Sequence, residues 1–219
     1  MKFKTKIYAV VAAAAVFSAV QASAGTVKLG YETPGNAYGT QGWYGNVVQV
    51  VKDRRGQIGR AYRGTAGAFR LTDGVTAIMT FCIDPYRYLN IGKAFTVTED
   101  ATVLENVDKL FTSSFADVKD ASSATAFQVA LWEVLAEKGP VLNAASGNHL
   151  VYGTKLRADA QTFLDRIATA STGGYKFTTY SNAGQDQIAA MATPVPLPAS
   201  ALLLLGGIGG LGLMRRKRR

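Results

Sequence analysis

The sequence predicts an α+β fold. Its parts are an antiparallel β-sheet or barrel-like core from the N-terminal half and about three helices in the C-terminal half. A cleaved N-terminal signal and a C-terminal transmembrane helix flank them. Three observations lead there. Short β-rich runs separated by glycine or Asp-Arg turns fill the first half. Apolar residues at helical spacing recur between residues 103 and 167. Apolar runs with basic flanks close both ends of the chain.

In chain order, Lys2, Lys4 and Lys6 precede an apolar run over residues 7–20, and Ala22-Ser23-Ala24 follows with small residues at alternate positions. That is the layout of a secretory signal, residues 1–24, cut by signal peptidase before Gly25. An uncleaved N-terminal anchor is the alternative; the small-residue site directly after the run argues against it. The domain is then expected over residues 25–180, with strands at 27–31, 47–52, 57–62, 68–72, 75–83 and 94–98 and a turn at Asp73-Gly74. Residues 33–45, rich in Gly, Asn and Tyr, read as a loop.

Val103, Leu104, Val107, Leu110 and Phe111 then predict a helix with Asp100 as its cap. Phe127, Ala130, Leu131, Val134 and Leu135 form the apolar stripe of a second, capped by Ser122 or Ser123 and stopped by Gly139-Pro140. Leu156, Ala160, Phe163, Leu164 and Ile167 mark a third. Residues 175–180 return to strand, and 181–193, with Asn182, Gly184, Gln185 and Gln187, read as a polar linker.

Residues 194–219 form the tail. Val195-Pro196-Leu197-Pro198-Ala199 leads into an apolar run that ends at Met214 and is followed by Arg215-Arg216-Lys217-Arg218-Arg219. The run is short against the about 20 residues of a spanning helix, and five glycines weaken it. The arginine cluster would stay cytoplasmic, leaving the prolines extended at the outer face. These three parts together resemble a PEP-CTERM sorting signal of the VPLPA type. The resemblance implies a Gram-negative host and processing by an exosortase, a membrane enzyme that cuts near the motif. It also implies a transient stay in the inner membrane, then delivery to the cell surface or extracellular matrix. A plain C-terminal anchor would explain the run and the arginines, but not the proline motif.

The formal charge of +9 comes from the ends. Three of the 24 basic residues lie in the signal and five in the tail, which leaves 16 against 15 acidic residues. A nearly neutral mature region lacks the basic footprint of a nucleic-acid binder. One Cys and one His give no metal-ligand cluster, and no cofactor motif occurs. Cys82, the single cysteine of an exported chain, has no internal disulfide partner. It is buried and inert, paired with another chain, catalytic, or modified.

Two stretches bear on that choice: Phe81-Cys82-Ile83-Asp84 and Phe127-Gln128-Val129-Ala130-Leu131-Trp132. Together they resemble the thioester domain of bacterial surface adhesins, in which a cysteine and a downstream glutamine join with loss of ammonia. The resemblance implies a Cys82–Gln128 thioester supported by Asp84, Ala130 and Trp132. The family carries Thr before the glutamine; Phe127 stands there in this chain. On a helical wheel Gln128 falls beside Trp132 at the edge of the stripe, half-buried, with the indole placed to screen the bond. Tyr86 and Tyr88 are candidate recognition aromatics.

The expected function is therefore a non-enzymatic covalent adhesin or matrix protein that captures a nucleophile, a protein amine or a polysaccharide, on an unidentified surface target. A structural matrix protein with an inert Cys82 is the alternative. A cysteine hydrolase using Cys82 and His149 ranks third, because Cys82 ends a strand rather than starting a helix. His149, in the turn-like Gly147-Asn148-His149, could assist attack on the thioester as a general base, but a solvated loop residue is the better reading.

Overall fold

The computed structural model describes residues 24–32, 46–52, 58–146 and 149–194. The signal run through Ser23, the Thr33–Gly45 loop and the tail from Val195 lie outside the described residues. So does the VPLPA motif, Val195, Pro196, Leu197, Pro198 and Ala199. Among the described residues no helix is long and apolar enough to cross a membrane.

Seven strands form one antiparallel sheet: β1 (Ala24–Lys28), β2 (Gly30–Tyr31), β5 (Phe69–Thr72), β6 (Ala77–Cys82), β7 (Ala94–Thr98), β9 (Tyr175–Ser181) and β10 (Gln187–Ala192). Their order is β1-β7-β9-β10-β6-β5-β2. The two edge strands are consecutive in the chain, separated only by the buried Leu29. The sheet must curl until its edges meet, which makes it a nearly closed barrel. A second sheet joins β3 (Asn46–Lys52), β4 (Ile58–Ala66) and β8 (Leu150–Val151) in the order β4-β3-β8. Three helices, α1 (Glu105–Ser114), α2 (Ala121–Ala136) and α3 (Thr154–Ile167), complete a mixed α and β domain.

Several boundaries differ from expectation, each for a local reason. Strand β6 starts at Ala77 rather than Val75, because Asp73 Oδ1 accepts the N–H groups of Val75 (2.8 Å) and Thr76 (2.7 Å) and holds them in the turn. Asp100 does not cap α1. It sits in a left-handed turn at φ 47° and pairs with Lys176, while the helix begins four residues later with Leu104 at its cap position. The cap of α2 is Asp120, in a capping box with Ser123. The helix ends at Ala136, before Gly139-Pro140, where Glu137 turns extended.

The larger correction is the expected linker at 181–193. Residues 187–192 are β10, a central strand between β9 and β6, so the domain runs past residue 180. Gln, Ala and Met carry little strand propensity, and the strand is held by its two neighbours rather than by local preference. The β9–β10 turn needs Gly184: a Cβ there would stand 2.6 Å from Asn90 Cβ and 2.7 Å from the Tyr88 carbonyl oxygen. That close approach lets Gln185 N–H bond the Tyr88 carbonyl at 2.9 Å, which ties down the segment following Cys82.

Helix α2 is not a surface helix with one apolar stripe. Residues 124–134 are all buried, enclosed by α1, α3, β3 and β4. An aromatic cluster joins it to the barrel. Phe81 of β6 lies 4.9 Å from Phe127 of α2, ring centre to ring centre, and 6.0 Å from Phe111 of α1. Phe111 also meets Phe127 (5.0 Å) and Phe177 (5.2 Å) edge-on. Such pairs contribute about 0.5–1.5 kcal/mol each beyond their burial. Phe81 immediately precedes Cys82, and Phe127 immediately precedes Gln128, so the packing of one pair delivers the other.

Candidate functional site

Cys82 ends β6. Across β10 it stands directly opposite Gln187, while Ile83 N–H bonds the Asp186 carbonyl at 3.0 Å. Residues 83 and 186 are therefore the hydrogen-bonded pair, and Cys82 turns its own N–H and C=O away from β10, toward the β5 side. No strand residue meets them there. The β5 register, Phe69 opposite Thr80, would bring Gly67 to Cys82, but the strand begins only at Phe69. The Gln128 carboxamide fills the vacated position. Cys82 N–H donates to Gln128 Oε1 at 2.8 Å, and Gln128 Nε2–H donates to the Cys82 carbonyl at 2.8 Å.

One helical turn on, Trp132 Nε1–H donates to the same carbonyl at 3.1 Å. The two candidate residues are thus in direct contact, bonded reciprocally. Both are buried, Cys82 at 1 % and Gln128 at 0 % exposure. The expected half-buried Gln128 is corrected: α2 is enclosed on all sides, so its helical wheel has no wet edge. Ala130 is buried in the same helix, and Trp132 is 5 % exposed.

Burial pushes the Cys82 thiol up to about 12. The Trp132 indole N–H and the Asp84 backbone N–H act against this, and the charges of Asp84 and Asp186 add to it. Asp84 itself closes the turn after β6: Oδ1 accepts the Tyr86 N–H at 3.2 Å and Oδ2 pairs with Arg87 Nε at 3.1 Å. Asp186 Oδ1 is buried with no hydrogen-bond partner among the described residues.

His149 is not a solvated loop residue. It is 1 % exposed, with Nδ1 3.2 Å from the Tyr86 hydroxyl and its ring 5.1 Å from the Trp132 ring. Glu133 explains its position. This buried carboxylate accepts Asn143 N–H on Oε1 (3.1 Å) and His149 N–H on Oε2 (3.3 Å), folding that segment back over α2. Tyr86 is therefore half-buried against His149, whereas Tyr88 is 95 % exposed.

Sequence reasoning also missed Gln187. It bonds Thr80 Oγ1 (3.0 Å) through Oε1 and Gln185 Oε1 (2.8 Å) through Nε2, and Gln185 Nε2 reaches the Arg87 carbonyl (2.9 Å). This buried chain runs from β6 to the loop after Cys82. The apolar run Ile188-Ala189-Ala190-Met191-Ala192 was the one available signal for a strand there. Of the signal-cleavage residues, Ala22 lies outside the described residues. Ala24 opens β1 opposite Thr98, and a cut before Gly25 leaves the rest of that strand intact.

Among the described residues no group of three or more His, Cys, Asp or Glu side chains is arranged to hold a metal ion. No family model, no curated protein and no solved structure matches the chain.

Proposed function

We propose that this chain is an exported surface protein, a covalent adhesin or matrix protein, whose Cys82 and Gln128 form an internal thioester. The observation that carries the reading is the reciprocal pair of 2.8 Å hydrogen bonds between Gln128 and Cys82, beneath Trp132. In forming the bond, Cys82 Sγ attacks Gln128 Cδ, and Nε2 leaves as ammonia with the thiol proton. The Cys82 N–H already on Oε1 stabilises the developing oxyanion. The product is a stored electrophile, and full burial protects it from water. An external nucleophile then attacks Cδ, becomes joined to Gln128, and releases Cys82 as a thiol. The protein acts once and does not turn over. A hydrolase reading fits less well, because Cys82 ends a strand rather than starting a helix, where the dipole would favour the thiolate.

The export route belongs to the same proposal: signal peptidase, inner membrane, an exosortase-type enzyme, and the surface or matrix of a Gram-negative bacterium. Ala22-Ser23-Ala24 and the VPLPA tail support it. One observation favours a second reading, a structural matrix protein without a reactive bond. A glutamine whose amide oxygen and nitrogen both pair with main chain is also a satisfied way to finish a sheet.

Intact mass of the exported protein, before and after methylamine, decides between them. The thioester predicts a mass short by one ammonia and methylamine added at Gln128, both abolished in Cys82→Ala. A full mass, with Cys82 alkylated on denaturation, would leave the structural reading.

A further inference from the structure

The chain leaves the fold at the end of the barrel opposite Cys82. Strand β10 starts at Gln187, directly across from Cys82, and finishes at Ala192, across from Tyr175. That run of strand is about 17 Å long at 3.4 Å per residue. Strand β6 runs the other way, from Ala77 to Cys82, so the β5–β6 turn bearing Val75 also lies at the end away from Cys82. Strand β1 is antiparallel to β7, which is antiparallel to β9, so β1 enters from that end too. Thr193 is tied to the body there: its N–H donates to the Gly174 carbonyl at 2.9 Å, and its hydroxyl to the Gly173 carbonyl at 2.8 Å. The Gly173 N–H is held in turn by the Asp108 carboxylate of α1 at 3.0 Å. Two large apolar side chains stand free at this end, Met191 (75 % exposed), opposite Lys176, and Val75 (93 %). Tyr88 marks the other end: its carbonyl accepts the N–H of Gln185, two residues from the Gln187 that faces Cys82.

Resting on the sorting-signal part of the proposed function, we propose that the uncut protein stands on the bilayer by its Thr193 end, with Met191 and Val75 toward the lipid headgroups, and holds the Cys82–Gln128 site outward. The tether sets this orientation, because it is short. From Thr193, which is fixed to the body, the chain to Ala199, where the apolar run begins, reaches at most about 20 Å fully extended. The headgroup layer takes up roughly 5–8 Å of that. A body of about 170 residues has a radius of gyration of about 15 Å, which makes it about 40 Å across. Turning the Cys82 end to the lipid would need a tether at least as long as the body is wide, and the one available is about half that. Asp73 after β5, and Glu99 and Asp100 after β7, lie at the same end, so a zwitterionic headgroup layer suits it better than an anionic one. An anchored molecule therefore offers its site to what approaches from the side away from its own membrane. Cutting at the motif ends that restraint.

The test reconstitutes the exported chain, tail retained, into phosphatidylcholine vesicles that carry a small share of headgroup-quencher lipid. A thiol-reactive fluorophore is placed at Met191→Cys or, in a second sample, at Tyr88→Cys; the wild type, whose one cysteine is buried, reports the background. The Met191 probe should be quenched at least about threefold more than the Tyr88 probe, since the body's width separates the two ends. Equal quenching, or stronger quenching of the Tyr88 probe, would overturn the proposal. About 20 Gly and Ser residues inserted after Pro194 add an extended reach of about 70 Å and should bring the two probes level. A difference that persists in full would overturn the tether as its cause, and the proposal with it. Should Met191→Cys fail to fold, Val75→Cys in its exposed turn takes its place, with the same outcomes. Protein that does not float with the vesicles sinks the sorting-tail reading itself, and that is seen before any probe is read. The thioester stands or falls separately, on intact mass.

Discussion

On the thioester reading, methylamine should lower the stability of the protein without altering its sequence. Cys82 and Gln128 are 46 residues apart, and a bond between them closes that loop in the unfolded chain. Loop closure of this length removes unfolded-state entropy worth about 4 kcal/mol at 25 °C. Cutting the bond returns it. For a domain of this size about 1 kcal/mol moves Tm by 2–4 °C, so the treated protein should melt about 8–16 °C lower. Cys82→Ala should melt near the treated wild type, with a further loss of about 1 kcal/mol for a small buried side chain. It should also ignore methylamine. Calorimetry on treated and untreated samples of both proteins makes the measurement. A shift of under about 2 °C, with methylamine shown to be on Gln128, would refute the loop argument. An equal shift in Cys82→Ala would show that the amine acts elsewhere.

Other consequences follow from particular contacts. Phe127→Ala opens the aromatic cluster that positions Gln128 and should cost about 3–5 kcal/mol in denaturant titration, with a reduced mass-deficient fraction. Trp132→Phe removes the N–H on the buried Cys82 carbonyl; thioester formation also takes away the Gln128 Nε2 donor, so the carbonyl is left unsatisfied and a loss of about 1–3 kcal/mol is expected by the same titration. In the ring-opened protein the free thiol should resist alkylation at pH 8 while folded. Its folded value, raised from 9.0 to about 12, means that the native state holds the proton longer than the unfolded chain. That contribution is fully present below pH 9 and is lost as pH rises toward 12, so denaturant midpoints should fall more steeply across that window than in Cys82→Ala, which keeps the raised Tyr180 phenol.

Much of the element plan was legible because it rests on local chemistry. The Asp73-Gly74 turn, the strand that ends at Cys82 and the helix bearing Gln128 all follow from side chains within a few residues of one another. Local competition blurred the ends: Asp120 rather than a serine won the cap, because its carboxylate and Ser123 satisfy each other. Gln128 was legible as half of a motif, but not as buried, since periodicity alone describes a helix with one wet face and α2 has none.

What the sequence by itself determined is the set of candidates: Cys82 with Gln128, Trp132 one turn from Gln128, and two ends that read as export and sorting signals. Tertiary structure alone decided how they meet. The backbone of Cys82 is open to a carboxamide because β10 takes the residues on either side of it and β5 starts too late to reach it. The same non-local pairing turned a polar-looking stretch into central strand β10 and set Gln187 against Cys82. It also carried His149 from an expected loop into the wall of the site. Each of these depends on partners dozens of residues away, whose register is fixed by hydrogen-bond geometry across the sheet and by burial of the aromatic cluster, and neither is written in any local window of the chain.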